Sequence, residues 1–530
     1  MEILDHRSLA LISATLCVIA FVGFASKLRL RPRETSHIPP IILQAIPFVG
    51  HLIEIVKHGF GYLEHLGAKH KHPIFTLQIL GKDVHVVNSP DLIMAVQKTP
   101  RIYDFSVFAT TMLPRLFDLD REAMKLASTN VDHPGGSWNF IVETSRIFHR
   151  CLSPGPSLEK MERAALTAIL HYLDELASKP DGVVLDLFAW LRTIMTVSST
   201  EALYGPQNPF NNRPELEQAL WDWERDLTRL LLAPAPALLA RKGYHAGSRL
   251  INAMKDYLEK RGHETGSDLT KARYEAGITY GLSIPNIARF ELGSIMGVLV
   301  NSTPTLFWML THIYSDAQLL ADLRAELSLE STNQPTAHNG TRNKHTINTT
   351  TLRQVSPLLL SIYQETLRHH THNSSSRMVT QDTILAKRHR LQANSMILIP
   401  GGAIHALPSI WGASTHEFHP RRFLASTSPH ADIMKLRPGT FQSFGGGVSL
   451  CPGRNFAATE ICAAAAMVVA RFEMVAVDAG GEGVGWWVPG MEVGRVTSAI
   501  PLPRGDVRVR VSVREEGGEG RWGFGFGGLD

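Results

Sequence analysis

The sequence predicts a mainly α-helical protein with small β-sheets, preceded by one N-terminal transmembrane helix. Three observations indicate this fold class. Residues 8–26 form a mainly apolar run of nineteen residues without a charge, which is long enough to cross a hydrocarbon core as a helix. Residues 157–329 carry apolar side chains at spacings of three and four, the period of amphipathic helices. Residues 74–87 instead alternate apolar and polar side chains on either side of Gly81, which predicts a β-hairpin.

The composition excludes several functional classes. Of the 530 residues, 44% are hydrophobic, which is enough to build a large core and excludes disorder as the main state. Lys and Arg number 53 and Asp and Glu 49, so the net charge is +4. This balance excludes nucleic acid as the expected partner, because nucleic-acid-binding proteins concentrate basic residues. The four cysteines are too few for a disulfide scaffold and fit a reducing compartment.

The N-terminal segment, residues 1–31, predicts a membrane anchor with a basic flank. Four basic residues follow the apolar run: Lys27, Arg29, Arg31 and, just beyond this segment, Arg33. The positive-inside rule places such a flank in the cytosol, as expected for a single-pass protein of the endoplasmic reticulum membrane with a cytosolic body. A cleaved signal peptide is the alternative, but its basic residues would precede the apolar run, where only Arg7 stands.

Three further segments follow the anchor. Residues 32–50 are rich in proline and predict a stiff linker. Residues 51–514 form the folded body, in which helix is expected at 357–370 and the polar residues 331–350 predict an exposed loop. Residues 515–530 are rich in glycine and predict a disordered tail.

The most informative segment runs from Phe444 to a predicted helix that begins near Cys451. Gly445, Gly446 and Gly447 allow the backbone to approach a flat ligand and to adopt positive φ angles, and Phe444 can shield a sulfur from water. Amides at the start of the helix favour the thiolate form of Cys451. A zinc site would need three or four suitably spaced ligands, and a thiol protease would need a histidine partner but no glycine triplet.

The residues from Phe444 to Gly447 and from Cys451 to Arg454 resemble the cysteine loop of the cytochrome P450 family. The resemblance extends over nearly the whole chain. It implies the cytochrome P450 fold, haem b as the cofactor, and Cys451 as the axial ligand of the haem iron. In this family the thiolate pushes electron density toward iron and favours O–O cleavage. Residues 51–514 would then be the haem-thiolate catalytic domain.

A second part of the resemblance involves Glu365 and Arg368, which lie three apart on one face of a predicted helix. By itself such a pair is by default a solvated surface pair. Downstream, residues 418–423 read FHPRRF and are similar to the family motif F-x-P-x-R-F. The resemblance implies that Arg422 completes a buried Glu–Arg–Arg triad behind the haem loop, with a structural role.

The long predicted helix around Asn301 departs from the family pattern. Most members carry an acid followed by threonine, a pair that relays protons to dioxygen, but this sequence has Asn301 and Ser302. These two are the candidate catalytic residues, because an amide can orient water and a hydroxyl can donate a proton. Pro304 would bend the helix, as in the branch that contains the sterol hydroxylase of bile-acid formation and prostacyclin synthase. A buried polar patch that relaxes a kinked helix is the alternative.

Two further departures concern contacts to haem. The position two before Cys451, often basic to pair a haem propionate, is Ser449. Arg454 and Arg377 are the replacement candidates, since a guanidinium suits carboxylates. The family's W-x-x-x-R is absent, because no arginine follows Trp138 by four residues. The alternatives near it are Arg146, His149 and Arg150.

For two further groups of residues the sequence allows more than one role. His369, His370 and His372 are expected to form a solvated helix end rather than a metal site, since neighbouring positions on a helix point apart. Lys435 and Arg437 precede the haem loop. They either help to dock an acidic reductase or are ordinary surface charges.

The resemblance implies an enzyme, a membrane-anchored cytochrome P450 monooxygenase. It would receive electrons from NADPH through NADPH–cytochrome P450 reductase and insert one oxygen atom of O₂ into a small lipophilic substrate. By analogy with fungal secondary-metabolism members, a terpenoid, sterol or polyketide is expected. Segments 105–116, 374–379 and 496–500 would choose the substrate. The alternatives are a haem-thiolate isomerase or dehydratase that acts on a peroxide without a reductase, and a non-catalytic haem- or lipid-binding protein.

Overall fold

A computed structural model describes most of the chain from residue 37 onward. The residues it describes are 37–129, 139–179, 181–233, 235–331, 344–349, 352, 356–425, 433–492, 494–515 and 521–526. The predicted transmembrane run and its basic flank lie outside these residues. Among the described residues, no helix combines the length and the apolar character needed to cross a membrane.

Helices make up most of the described chain, as the apolar periodicity predicts. In chain order they are α1 (Gly50–His58), α2 (Gly61–His70), α3 (Pro90–Lys98), α4 (Phe105–Leu116), α5 (Arg121–Ser128), α6 (Phe140–Cys151), α7 (Pro156–Ala177), α8 (Leu187–Tyr204), α9 (Pro214–Leu232), α10 (Pro236–Leu239), α11 (Arg241–Glu259), α12 (Asp268–Thr279), α13 (Ile284–Leu299), α14 (Ser302–Tyr314), α15 (Ala317–Ser331), α16 (Pro357–His370), α17 (Gly401–His405), α18 (Pro408–Trp411), α19 (Ile433–Leu436) and α20 (Arg454–Arg471).

The described strands form four small sheets. They are β1 (Ile74–Ile79), β2 (Lys82–Val87), β3 (Tyr103–Asp104), β4 (Val183–Asp186), β5 (Lys344–Asn348), β6 (Ser374–Val379), β7 (Thr383–Leu385), β8 (His389–Leu391), β9 (Met396–Pro400), β10 (Phe472–Ala476), β11 (Arg508–Val513) and β12 (Arg521–Gly525). The largest sheet has the order β1-β2-β9-β6-β3, a second has the order β10-β11-β4, and β12-β5 and β7-β8 are pairs. The predicted class, mainly α with small β-sheets, is confirmed.

The predicted hairpin is present and also receives the linker. β1 and β2 pair antiparallel, with Leu77 opposite Val84, and both side chains are buried. On the other edge of β1, the Ile42 amide donates to the Thr76 carbonyl (2.9 Å) and the Thr76 amide donates to the Pro40 carbonyl (2.8 Å). The end of the Pro-rich segment is therefore bound to the sheet.

The long helix is interrupted where Pro304 predicts a bend. α13 ends at Leu299 and α14 begins at Ser302. Proline lacks a backbone N–H and cannot bond to the carbonyl four residues earlier, which is that of Val300. Instead, Asn301 has φ −106°, and its carbonyl accepts hydrogen bonds from the backbone amide and side-chain hydroxyl of Thr305.

Two predictions of irregular structure were wrong in part. Residues 344–348, within the predicted loop, form β5, and residues 521–525, within the predicted disordered tail, form β12. The two strands pair parallel with Trp522 opposite His345, whose rings stack at 4.6 Å. Trp522 is buried. Burial of this aromatic side chain offsets the ordering of a glycine-rich strand.

The main core lies among the helices that follow the cysteine loop. α20 contacts α7, α14, α15 and α16, and its alanines 463–466 are buried. Small side chains allow helix axes to approach closely. Cys451 therefore precedes a helix that is fixed on several sides by the core.

Candidate active site

Cys451 lies in the turn that leads into α20. Its side chain is free and partly buried, and its backbone amide donates to the Phe444 carbonyl at 3.0 Å. Burial raises the pKa of the Cys451 thiol, while the amides of Gly453 and Arg454 and the positive charge of Arg454 lower it. Amides directed at the sulfur stabilise a thiolate, so the loop suits a sulfur ligand to a cation.

The glycines of the loop allow a close approach to α3. Gly445 and Gly447 have φ of 68° and 65°, values that side chains with a Cβ rarely adopt. Gly446 has an extended backbone, but a Cβ there would overlap the Gln97 amide. Gln97, which donates to Gln442 at 3.2 Å, is a loop contact that the sequence did not indicate.

Arg377 and Arg454 are the two candidates to pair a haem propionate, and Arg377 is the one whose guanidinium contacts Ser449. Its Nη2 donates to the Ser449 hydroxyl and, at 3.3 Å, to the Gly446 carbonyl. The side chain is buried, and desolvation lowers the pKa of Arg377 to about 10. Arg454 instead donates back to the Cys451 carbonyl at 3.0 Å.

The predicted triad residues are brought together and buried. Glu365 accepts hydrogen bonds from Arg368 at 2.7 and 2.8 Å and from Arg422 at 3.1 Å. The His419 amide donates to the same carboxylate at 2.8 Å. The remaining guanidinium donors bond to backbone carbonyls, including those of His405, Trp411, Ser414, Thr415 and Glu417. The single carboxylate is thus shared by two guanidinium groups, and backbone carbonyls accept the remaining donors, which is the hydrogen bonding that a buried ion cluster requires.

Asn301 lies at the break between α13 and α14 and contacts the C-terminal part of the chain. Its Oδ1 accepts hydrogen bonds from the amides of Ala499 (2.8 Å) and Ile500 (3.2 Å). The assignment of Asn301 as a catalytic residue that orients water stays a prediction; in the structure two backbone donors hold its oxygen. The contact instead resembles the alternative prediction of a polar group that stabilises a kinked helix.

Two residues with hydroxyl groups, Ser302 and Thr303, follow Asn301. Ser302 begins α14 and is buried, and the neighbouring Thr303 is fully buried. Thr303 Oγ1 has no hydrogen-bond partner among the described residues. An unpaired buried hydroxyl is unusual in native proteins. Thr303 is therefore a second candidate proton donor, which the sequence analysis missed although the residue follows Ser302 directly.

Contacts link the three segments that are predicted to determine substrate specificity. α4, which spans 105–116, packs against β6, with the Arg377 guanidinium 5.4 Å from the centre of the Phe105 ring. Segment 496–500 reaches the same region, because the Ala499 carbonyl accepts from the His372 amide at 2.8 Å. These contacts connect α4 to β6, and the residues just before β6 to segment 496–500, which itself bonds to Asn301 at the helix break.

The expectation of a solvated histidine end on α16 was wrong. His370 is buried and stacks on Trp308 with ring centres 4.4 Å apart, and its Nε2 lies 2.9 Å from His312 Nε2. His372 forms an ion pair with Glu64 at 2.9 Å. No group of three potential ligands that could hold a metal ion occurs among the described residues.

Arg146 is not suited to a buried cofactor contact. Its side chain is 72% exposed and pairs with Glu143 at 3.5 Å, whereas Trp138 lies outside the described residues. Arg377 differs in this respect, because it is buried. The nearby Asp104 carboxylate raises the pKa of Arg377, but desolvation by burial lowers it by more, so the charge of this guanidinium is only partly offset. A buried guanidinium needs a counter-charge, so the site around Arg377 and Cys451 fits a flat cofactor that carries carboxylates.

Comparison with known proteins agrees with this geometry. The family model described as Cytochrome P450 matches residues 39–482. "Cytochrome P450 monooxygenase nodJ" of Hypoxylon pulicicidum is 32% identical over 520 residues, which are 97% of this chain and 96% of that protein. The "5-beta-cholestane-3-alpha,7-alpha-diol 12-alpha-hydroxylase" of Sus scrofa is 23% identical over 87% of this chain and 91% of its own length.

Solved structures share the fold. The structure described as "Retinoic acid bound cyanobacterial CYP120A1" superposes with a TM-score of 0.67 at 17% identity, covering 91% of this chain and 100% of that chain. At this identity the likeness concerns the fold alone. The predicted resemblance, including relatives among fungal monooxygenases and sterol hydroxylases, is confirmed.

Proposed function

The chain belongs to the cytochrome P450 family, and from this premise we propose that it is a haem-thiolate monooxygenase in which Cys451 is the axial ligand of the iron. Enzymes of this family are oxidoreductases that use haem b and, as the usual electron source, NADPH through a reductase. The observation that carries the assignment of Cys451 is its position before α20, with two amides directed at its sulfur.

Arg377 would pair a haem propionate. It is a buried guanidinium at the rim of the cysteine loop. Asp104 offsets its desolvation only in part, and a propionate would add a second counter-charge. Gly447 and its neighbours keep the loop free of side chains where a flat ring would lie. Phe444, which is half-buried against the main core, would exclude water from the sulfur.

The reaction consumes a substrate C–H bond, one O₂, one NADPH and one proton, and yields an alcohol, water and NADP⁺. Bound haem supplies the redox chemistry of O₂ reduction and oxygen-atom transfer. The protein contributes proton donors: we assign this role to Ser302 and Thr303, whose hydroxyls are buried at the helix break. Asn301 holds the adjacent backbone in place through its two accepted hydrogen bonds.

A membrane location is supported by apolar side chains on the described surface. Ile53 and Val56 of α1 are exposed, and so are Leu80 at the hairpin turn and Leu238 in α10, the last at 77%. Together with the uncharged run at residues 8–26, exposed apolar side chains favour attachment to a membrane. We assign the protein to the endoplasmic reticulum membrane with the catalytic domain in the cytosol.

The electron donor is assigned as NADPH–cytochrome P450 reductase. Lys435 and Arg437 are exposed shortly before the cysteine loop, where basic side chains would attract an acidic flavoprotein surface. The substrate is assigned as a small lipophilic molecule such as a terpenoid, sterol or polyketide. The name of the Sus scrofa relative specifies a sterol, which supports a compact polycyclic substrate.

The test is a reconstitution of the full-length, haem-loaded protein with reductase in lipid vesicles. We expect NADPH consumption and a product that carries one atom from ¹⁸O₂ when terpenoid, sterol and polyketide panels are supplied. Conversion of a lipid hydroperoxide without NADPH, with no ¹⁸O₂ incorporation in any panel, would instead identify an isomerase or dehydratase. Haem binding with neither activity would identify a binding protein.

A further inference from the structure

Residues 494–501, here called the strap, connect α9 to the region of the helix break. The strap contains no described helix or strand, so contacts with other elements determine its position. At its N-terminal end, Arg495 forms an ion pair with Glu224 of α9. The Val496 amide donates to the hydroxyl of Thr228, one turn further along the same helix, at 3.2 Å.

The C-terminal half of the strap is held by the interrupted helix. Ala499 and Ile500 donate their backbone amides to Asn301, and the Pro501 carbonyl accepts from Trp308 Nε1 at 2.9 Å. Only three residues lie between Arg495 and Ala499. Such a short span transmits displacement of one end to the other, because an extended chain covers only about 3.3 Å per residue.

The Glu224–Arg495 pair is enclosed by the protein. The Glu224 side chain has no exposed surface and that of Arg495 is 10% exposed. Arg495 Nη1 lies 2.5 Å from both Glu224 oxygens. A second carboxylate, Glu492, contacts the same guanidinium at 2.8 Å but is 32% exposed. A buried carboxylate is tolerated only with its counter-charge, so the pair favours the arrangement in which strap and α9 touch.

A close backbone contact confines the strap on its other side. Gly494 has φ +86°, and a Cβ there would lie 3.2 Å from the carbonyl oxygens of Val56 and Lys57 at the end of α1. Only glycine suits both the backbone angle and the contact. The strap therefore passes between α1 and α9 before it reaches Asn301.

We propose that Glu224 is a positioning residue for substrate binding: through Arg495 it holds the strap, and with it segment 496–500, in place beside the helix break. The proposal rests on the proposed function and on the expectation from the sequence that segment 496–500 contacts the substrate. Glu224 itself touches no reacting atom. Without the Glu224 charge, Arg495 keeps only the partly exposed Glu492 as a counter-charge, and the strap loses its main attachment to α9.

The test compares a large and a small iron-binding base on the haem-loaded, full-length protein. Clotrimazole is bulky and lipophilic and would contact the strap, whereas imidazole would reach the iron without doing so. For Glu224→Gln, which keeps the side-chain shape, we expect clotrimazole to bind about tenfold more weakly and imidazole to bind within about twofold of wild type. Soret-band titrations measure both affinities.

Two further variants make the experiment decisive. Glu215→Gln is the matched control, because Glu215 lies on the same helix in an exposed pair with Arg213, and both affinities should stay at the wild-type value. Arg495→Lys keeps the positive charge but not the planar guanidinium with its paired N–H donors. We expect this variant to bind clotrimazole about threefold more weakly than wild type. This variant carries the test if Glu224→Gln does not bind haem.

Unchanged clotrimazole affinity in Glu224→Gln and Arg495→Lys would overturn the proposal. An equal loss of affinity for clotrimazole and imidazole would also overturn it, because that result would indicate general damage to the haem site. Failure of the proposed function gives a different result. If Cys451 does not bind haem iron, the wild-type protein itself would show no red-shifted carbon monoxide band and no azole spectrum. If the protein is a haem-thiolate isomerase or dehydratase, the wild-type spectra would be present but no product would form from NADPH and O₂.

Discussion

Asn301 accepts a hydrogen bond from the Ala499 backbone amide at 2.8 Å, although the two residues are 198 positions apart. The carboxamide of Asn301 thereby joins the interrupted helix to the strap. An amide held in this way is a fixed acceptor and does not transfer protons as a carboxylic acid does. We therefore interpret Asn301 as a residue that fixes the backbone, and the hydroxyls beside it as the proton donors.

Removal of the Asn301 acceptor should destabilise the protein. Asn301→Leu leaves the amides of Ala499 and Ile500 without their partner, and we expect the free energy of unfolding in urea to fall by about 1–3 kcal/mol. Asn301→Asp keeps an acceptor oxygen and should retain most of that stability. An equal loss in both variants would show that the carboxamide NH₂ group, and not the oxygen, makes the important contact.

Loss of the Glu365 charge should prevent stable folding around haem. Glu365→Gln leaves Arg368 and Arg422 buried without their counter-charge, and we expect a loss of about 3–5 kcal/mol in the free energy of unfolding. Asp186→Asn is the control, since its pair with Arg508 is exposed and should contribute less than about 1 kcal/mol. A Glu365→Gln loss as small as that of the control would show that the triad is not a stabilising centre.

Arg377 should determine how tightly haem is retained. In Arg377→Gln the proposed propionate loses its buried counter-charge, and we expect haem transfer to excess apomyoglobin at least about tenfold faster than from wild type. Arg101→Gln removes an exposed arginine and should leave the rate unchanged. Equal rates in all three proteins would assign the propionate contact to another group, with Arg454 as the remaining candidate.

Buried histidines should make the folded state sensitive to acid. Burial lowers the pKa of His312 to about 3 and that of His370 well below its usual value. Because the folded pKa lies below the unfolded value of about 6.5, the unfolded state binds protons first as the pH falls. Stability should therefore decrease from about pH 6.5 downward, by about 1.4 kcal/mol per pH unit for each such histidine.

The contribution of His312 can be isolated by substitution. His312→Gln keeps a hydrogen-bonding group beside His370 but removes the titration. We expect the plot of unfolding free energy against pH, measured between pH 6 and 4.5, to become less steep. The decrease should be about 1.4 kcal/mol per pH unit, which corresponds to one proton fewer taken up on unfolding. An unchanged slope would mean that His312 is protonated at the same pH in the folded and unfolded states.

Local motifs and periodicity predicted much of the fold, because their information lies within a few residues. The hairpin around Gly81, the helix of Glu365 and the break at Pro304 are of this kind. The pairing of β5 with β12 could not be predicted, since the contacts of the glycine-rich strand, such as the stacking of Trp522 on His345, are made with residues distant in the sequence.

The site divides in the same way. The loop around Cys451 carries its own signal, because glycines and a helix start adjoin the sulfur in the sequence. The pair of Glu224 and Arg495, which are 271 residues apart, has no local pattern. The burial of His370 likewise depends on Trp308 of another helix. Because that contact leaves no local signal, the histidines at the end of α16 were predicted to be solvated.

The carbon monoxide difference spectrum of the reduced, haem-loaded protein tests the central assignment most directly. Cys462 is the matched control, since it is a buried cysteine of α20 in the same region of the chain. We predict that Cys451→Ala shows no red-shifted band, whereas Cys462→Ala shows the wild-type band. A red-shifted band that persists in Cys451→Ala would contradict the assignment of this sulfur as the iron ligand.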